Sequence, residues 1–274
     1  MEESNKFIDV EKIFYDKNPR LAGLLPRFIL NYIRRMIHQD EVNEFIEKHK
    51  DSYEFDWLRA GLERFKVKII SKGEELIPLQ GGFIIASNHP LGGFDALALL
   101  DVISHRRKDL KFIVNDILLQ LKNLKGLFIG VNKHGKNAQK NLSSIDDLYA
   151  SEKGVLIFPA GLVSRKQNGI IKDLEWKKSF ITKAKKYKRN VIPVHIEGEN
   201  TNRFYNLANW RKRIGIKANI EMFYLVDEMF KQENKTIAIT IGTPVPWTVF
   251  DKSKTDNEWA QWVKEKVYDL KFNT

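Results

Sequence analysis

Two residues fit for acid–base chemistry stand close together in the run Asn88-His89-Pro90-Leu91-Gly92-Gly93-Phe94-Asp95. A histidine takes a proton near neutral pH, and a neighbouring carboxylate fixes its tautomer and stabilises its charged form. Five residues separate His89 from Asp95, and two of them are glycines. That gap does not suit helical spacing, but a glycine-containing turn can fold the two side chains together. Backbone N–H groups near Gly92 and Gly93, at the start of a helix, are placed to stabilise a developing oxyanion. A plainer account makes Asp95 a helix cap and His89 a turn residue.

Two further runs carry polar residues at strand ends. Phe158-Pro159-Ala160-Gly161-Leu162-Val163-Ser164-Arg165 follows the apolar Val155-Leu156-Ile157. Gly161 permits close backbone approach, and Arg165 offers a fork to a phosphate or carboxylate. The plainer account is a strand-to-loop turn with a solvated arginine. Val191–Asn200 contains His195, Glu197 and Asn200. His195 alternates with apolar neighbours, as a core histidine does. Glu197 and Asn200 line the same edge, either as site residues or as a structural network.

These runs need strands and helices to hold them. Apolar stretches predict strands over Lys66–Ile70, Gly82–Ser87, Leu110–Val114, Gly126–Val131, Gly154–Pro159, Val191–Ile196, Ile220–Tyr224 and Ile237–Gly242. Helices are predicted over Asp95–Ser104, Asp116–Leu124, Asn137–Ala150, Trp176–Lys188 and Asn257–Leu270. Their alternation predicts an α/β fold with a mostly parallel central sheet flanked by helices. The chain divides into an N-terminal helical appendage, residues 1–63, and an α/β domain, residues 64–274. Within the appendage, Phe28, Ile29, Tyr32, Ile33, Met36 and Ile37 form one helical stripe, with Arg27, Asn31, Arg34 and Arg35 off it. Such a helix packs on a core or lies in a bilayer interface.

Composition sets outer bounds. The 274 residues carry a formal charge of +11, which favours an anionic partner. There is no cysteine, which excludes thiol catalysis and disulfides. The start Met1–Lys6 is acidic and polar, unlike a secretory signal. No stretch approaches the ~20 apolar residues of a spanning helix, so membrane contact is expected to be peripheral.

The order and spacing of these blocks resemble the glycerolipid acyltransferase family, which acylates lysophosphatidate and related lyso-lipids. Asn88-His89 and Asp95 match its first block, Phe158-Pro159 and Gly161 a later one, and Ile192-Pro193-Val194 its fourth. Gly126–Lys133 sits where the second belongs, with Lys133 near the family's basic residue. There are three departures: the His-to-Asp gap is one residue longer, Ala160 replaces a glutamate associated with glycerol-phosphate binding, and the arginine is displaced to Arg165. With Arg165 displaced and Asp173-Leu174-Glu175-Trp176 following, the chain looks like the haemolysin-like branch, which includes ornithine- and glycine-lipid O-acyltransferases.

The resemblance implies a bacterial enzyme of membrane lipid synthesis, peripheral on the cytoplasmic face of the inner membrane. It would move an acyl group from acyl carrier protein or coenzyme A to a lyso-lipid hydroxyl, with a lyso-aminolipid favoured over 1-acylglycerol-3-phosphate. His89 would act as general base, oriented by Asp95. Asn88, Gly92, Gly93, Lys133, Phe158, Pro159, Gly161, Ser164 and Arg165 would form the substrate-binding set. No bound cofactor or metal is implied, and contact with an anionic membrane is. Two rival readings remain. One is a non-catalytic basic membrane- or nucleic-acid-binding protein, suggested by Lys183–Arg189; no nucleic-acid module is recognised, so no nucleic-acid partner is expected. The other is a hydrolase, although no Gly-x-Ser-x-Gly elbow occurs.

Overall fold

Branched and aromatic side chains suit a pleated surface, and the apolar runs become strands. They are β1 (Lys68–Lys72), β2 (Phe83–Ser87), β3 (Leu110–Val114), β4 (Phe128–Gly130), β5 (Gly154–Ile157), β6 (Arg165–Gln167), β7 (Ile170–Lys172), β8 (Asn190–Ile196) and β9 (Thr236–Ile241). The structure is a computed structural model describing residues 6–17, 19–24, 26–115, 118–130, 138–217 and 219–271. Seven strands form one sheet in the order β1-β9-β8-β2-β5-β3-β4. All its neighbouring pairs are parallel except β8 with β9. The expected mostly parallel α/β architecture is therefore present.

β2 lies in the middle, and every one of its residues is buried. Ile85 pairs in register with Leu156 of β5 and Ile192 of β8. These three residues face a core shared with α5 (Glu54–Arg64) and α6 (Gly93–Ser104). The alternate residues Ile84, Val155 and Val191 face a second core with α7 (Ala138–Ala150), α8 (Ser179–Tyr187) and α11 (Asp256–Tyr268). The side-chain period of two thus fills both faces. The carboxyl ends of β8, β2 and β5 stand side by side, and the motif-bearing loops leave from them.

Four helices precede α5: α1 (Val10–Lys17), α2 (Pro19–Leu24), α3 (Arg27–Met36) and α4 (Gln39–Lys48). α3 carries the striped sequence but buries no residue. Phe28 is 72% exposed and Tyr32 43% exposed, while Ile29, Ile33, Met36 and Ile37 are half-buried. Among the described residues no helix is long and apolar enough to cross a membrane.

Four segments differ from expectation. Ile220–Tyr224 is a 3-10 helix, not a strand. Its second residue, Glu221, is fully buried between Arg165 and Arg211, and drawing that carboxylate inward curls the chain away from any sheet edge. Asp116–Leu124 holds two short 3-10 turns, Leu118–Gln120 and Lys122–Leu124, with residues 116 and 117 outside the described set. The stretches after β5 and β8 hold more than loops: a β6–β7 hairpin, α9 (Asn202–Arg213) and α10 (Leu225–Phe230).

Candidate active site

His89 follows β2 by two residues and Asp95 lies in the first turn of α6. Gly92 makes the turn possible: its φ of +85° lies in the left-handed region that side chains disfavour. The turn brings His89 Nδ1 to 2.8 Å from Asp95 Oδ2. The same oxygen accepts the backbone N–H groups of Leu91 at 2.8 Å and Gly92 at 2.9 Å. With Nδ1–H donating to Asp95, Nε2 is the ring nitrogen left for substrate. Asp95 therefore caps the helix and orients the histidine at once.

Asp95 is completely buried, and burial pushes its carboxyl above the usual carboxylate range. The hydrogen bond and charge of His89, then the N–H groups of Leu91 and Gly92, pull the other way. Its Oδ1 has no hydrogen-bond partner among the described residues. A carboxylate held this way gains most when its histidine becomes charged. The imidazole is fixed in plane as well, because it stacks on Phe158 with ring centroids 4.0 Å apart and 16° between planes. Phe158 in turn meets Phe112 edge-on at 5.0 Å.

The backbone of His89 is held at both ends. Its N–H donates to Asp173 Oδ1 at 3.2 Å, and its C=O accepts Ser164 N–H at 2.8 Å. Ser164 Oγ donates to the same Asp173 oxygen at 2.5 Å, closing the ring. Asp173 Oδ2 accepts Trp176 Nε1–H at 2.9 Å, while its backbone N–H donates to Tyr268 Oη and its carbonyl accepts Lys264 Nζ. Asp173 is thus the hub that ties the His89 loop to the β5 loop and to α11. Asn200 adds a further tie, donating Nδ2–H to the Pro90 carbonyl at 3.1 Å. Neither Asp173 nor Tyr268 belongs to the sequence-derived set. The Asp-x-x-Trp spacing, which suits a side chain reaching back to its own turn, is the trace they leave in sequence.

The structure sorts the remaining expected residues. Phe158 and Pro159 flank His89 and the α8 approach, Pro159 accepting the Lys177 N–H. Gly161 is exposed and has φ +68°. Its N–H donates to Phe158 O, and the Gly92 N–H is taken by Asp95. Both of these N–H groups are thus engaged within the protein. The Gly93 N–H stands at the first position of α6, where helix N–H groups have no intrahelical partner.

Asn88 is buried and fully engaged with β8, donating to Ile196 O at 2.8 Å and accepting Ile196 N–H at 2.7 Å. It extends the β2–β8 pairing, and both ends of its amide are spent on Ile196. Ser164 is buried against Asp173. Arg165 is 3% exposed, and its guanidinium donates to Glu221 at 2.7 Å and to Val163 O. The expectation that Arg165 holds an anionic group gives way to a buried Arg165–Glu221–Arg211 cluster joining β6, α9 and the 3-10 turn. Burial raises the Glu221 carboxyl, but the Arg211 hydrogen bonds and both guanidinium charges outweigh it and hold it below the usual range. Lys133 lies outside the described residues. His195 is a core residue, 3.3 Å from Glu197 Oε1 and edge-on to Tyr268; burial lowers its pKa.

A His–Asp pair at the carboxyl edge of a parallel sheet is equipment for general acid–base chemistry. A family model described as Acyltransferase matches residues 12–274. The chain is 46% identical, over 98% of its length and 99% of the relative's, to a lyso-glycine lipid O-acyltransferase of Bacteroides thetaiotaomicron. It is 44% identical, over 98% of its length and 97% of the relative's, to a protein of the same name in Phocaeicola vulgatus. A crystal structure of the 1-acyl-sn-glycerophosphate acyltransferase PlsC from Thermotoga maritima overlays with TM-score 0.49 and 18% identity, covering 95% of this chain and 90% of that one. The chain belongs to the acyltransferase family. It is an O-acyltransferase, as the matches over nearly its full length establish.

Proposed function

We propose that this enzyme acylates the hydroxyl of a lyso-aminolipid of the lyso-glycine lipid kind, using a thioester of acyl carrier protein or coenzyme A. The observation that carries the mechanism is the His89–Asp95 pair, with Nε2 as the ring nitrogen Asp95 does not engage. The acceptor follows from the two relatives' names and from Ala160, which stands where the wider family carries a glutamate.

In this reading His89 Nε2 takes the proton of the acceptor hydroxyl as its oxygen attacks the thioester carbonyl. Asp95 stabilises the imidazolium through Nδ1. The tetrahedral oxyanion forms near the Gly93 N–H. Collapse breaks the C–S bond, and the proton on Nε2 passes to the departing sulfur, giving ester and free thiol. General-base help of this type is worth about 10²–10⁴ in rate, and one oxyanion donor about 10²–10³. The enzyme works peripherally on an anionic membrane, at the cytoplasmic face of the inner membrane, with α3 as one contact.

The test uses purified enzyme, lyso-glycine lipid and an acyl thioester on either carrier. Mass spectrometry should show the diacylated lipid appearing one-for-one with free thiol, and His89→Ala should slow it about 10²–10⁴-fold. Near-normal transfer by the variant would overturn the base assignment. Free fatty acid with no acylated lipid would indicate a hydrolase.

A further inference from the structure

α3 does not stand alone on the surface. Tyr32 Oη lies 2.7 Å from Tyr224 Oη, and Arg203 of α9 donates to Tyr32 Oη at 2.9 Å. The Arg203 guanidinium also sits 5.0 Å over the Tyr224 ring. Three separate segments therefore meet at one surface point. From Arg203, helical periodicity places Trp210 and Ile214 on the same outward stripe, opposite the buried Phe204, Tyr205, Ala208 and Arg211. On α3, Phe28 lies one turn before Tyr32. The large apolar side chains around this junction are exposed: Phe28 72%, Trp210 56%, Ile214 49% and Phe223 64%. Large exposed apolar side chains gathered on the elements that meet at one junction mark a surface that binds something.

Its charge selects the partner. Neither α3 nor α9 contains an acidic residue. Arg34 is paired with Glu11 and Arg211 with Glu221, but Arg27, Arg35, Lys212 and Arg213 form no salt bridge among the described residues, and Arg203 meets only tyrosines. Aromatic and apolar side chains ringed by cations match the boundary of an anionic bilayer. Tryptophan and tyrosine favour that boundary in particular.

The face also leads to the chemistry. Two residues after Phe223, Leu225 packs on the catalytic turn: a Cβ built on Gly92 would lie 3.4 Å from its Cδ2. Met229, one helical turn on, stands equally close to Gly93. Leu225 and Met229 thus join the face at Phe223 to the His89 turn.

We propose that α3, α9 and the 220–224 turn form one composite docking face for an anionic membrane surface, and that Trp210 and Phe223 are its anchors. The inference rests on the lipid-acceptor reading above only for its purpose, not for its geometry. The test compares full-length wild type with a Trp210→Ser/Phe223→Ser double variant, and Phe28→Ser separately. Each is sedimented with phosphatidylcholine–phosphatidylglycerol vesicles and with phosphatidylcholine alone.

Wild type should bind the anionic vesicles preferentially, and the double variant should bind them at least about tenfold more weakly, as expected for two exposed aromatic anchors. It should lose transfer to vesicle-borne lyso-lipid and keep transfer to a water-soluble short-chain acceptor. Unchanged sedimentation of the double variant, or loss in Phe28→Ser alone, would overturn the composite face. A concentration-dependent dimer abolished by the double variant would make the face a contact between copies and overturn the membrane assignment. If wild type bound vesicles but transferred to neither acceptor, the catalytic reading would fail while the docking face stood.

Discussion

The His89–Asp95 turn and the α3–α9 face treat their side chains in opposite ways. At the turn, polar groups engage one another: Asp95 Oδ2 accepts three hydrogen bonds, and Asp173 holds both His89 and Ser164. On the outer face, Phe28, Trp210, Ile214 and Phe223 project into solvent. The turn is complete before any substrate arrives, and a site fixed in advance needs no reorganisation during reaction. The face leaves its large apolar side chains exposed, as the proposed docking to a membrane requires. The buried Arg165–Glu221–Arg211 cluster adjoins both: Arg165 follows Ser164 of the turn's hydrogen-bond ring, and Glu221 and Arg211 belong to the face's 3-10 turn and α9. Weakening the turn should therefore cost rate, weakening the cluster should cost stability, and weakening the face should cost localisation.

Asp95→Asn breaks the turn most sharply. The substitution keeps shape and leaves an oxygen for the Leu91, Gly92 and His89 donors, but removes the charge that offsets the imidazolium. Transfer should fall by about 10²–10⁴. Stability should behave differently. Because burial raises the Asp95 pKa in the fold, the wild type is penalised as pH rises through that raised value, and not below the ordinary carboxylate value. The asparagine variant escapes this penalty but buries an amide N–H beside the space Oδ1 occupied. Its melting temperature relative to wild type should therefore improve as pH rises. A relative stability that worsened with pH, or retained transfer, would contradict this account of the turn.

Glu221→Gln addresses the cluster. It leaves two buried guanidiniums without a counter-charge, and breaking such a pair typically costs about 3–5 kcal/mol. The Glu221 pKa is held down in the fold, so its contribution is complete above the ordinary glutamate value and is lost as pH falls through the depressed one. Denaturant melts should show the largest gap between wild type and variant near neutral pH and a shrinking gap in acid. Transfer to a water-soluble acceptor at low temperature should persist, because no member of the cluster touches His89. A gap independent of pH would mean that the carboxylate is not what holds the cluster.

The sheet and the His–Asp pair were legible for a simple reason: strands covered on both faces read as unbroken apolar runs, and the pair lies within one turn of chain. The roles of Asn88 and Arg165 were not. In sequence, a polar residue beside a strand end looks the same whether it binds substrate or satisfies buried backbone. The difference is made by Ile196, 108 positions from Asn88, and by Glu221, 56 positions from Arg165. α9 stayed hidden because its inward stripe is short and the rest of it is polar. The β6–β7 hairpin left a better sign, Asn168-Gly169, with φ values of +50° and +81° that suit a tight turn. Its strands of three residues each were too short to show alternation.

Asp173→Asn gives the smallest effect and the finest test of the contrast, because it touches the turn only through the main chain. If the amide oxygen keeps the His89 N–H and Ser164, the new Nδ2 faces the Trp176 indole N–H, and two donors oppose each other in a buried site. A mismatch of this sort costs about 1–3 kcal/mol. The His89 loop should loosen, and kcat should fall about tenfold to a hundredfold, within the range in which small misplacements act. KM for the acyl donor should change little, since Asp173 is buried and presents nothing to substrate. Trp176 fluorescence should shift at the same time, reporting the lost indole hydrogen bond. A fall in stability with kcat intact would reduce Asp173 to a packing residue. A fall in kcat with the tryptophan signal unmoved would show that it reaches His89 by another route than the ring of bonds through Ser164.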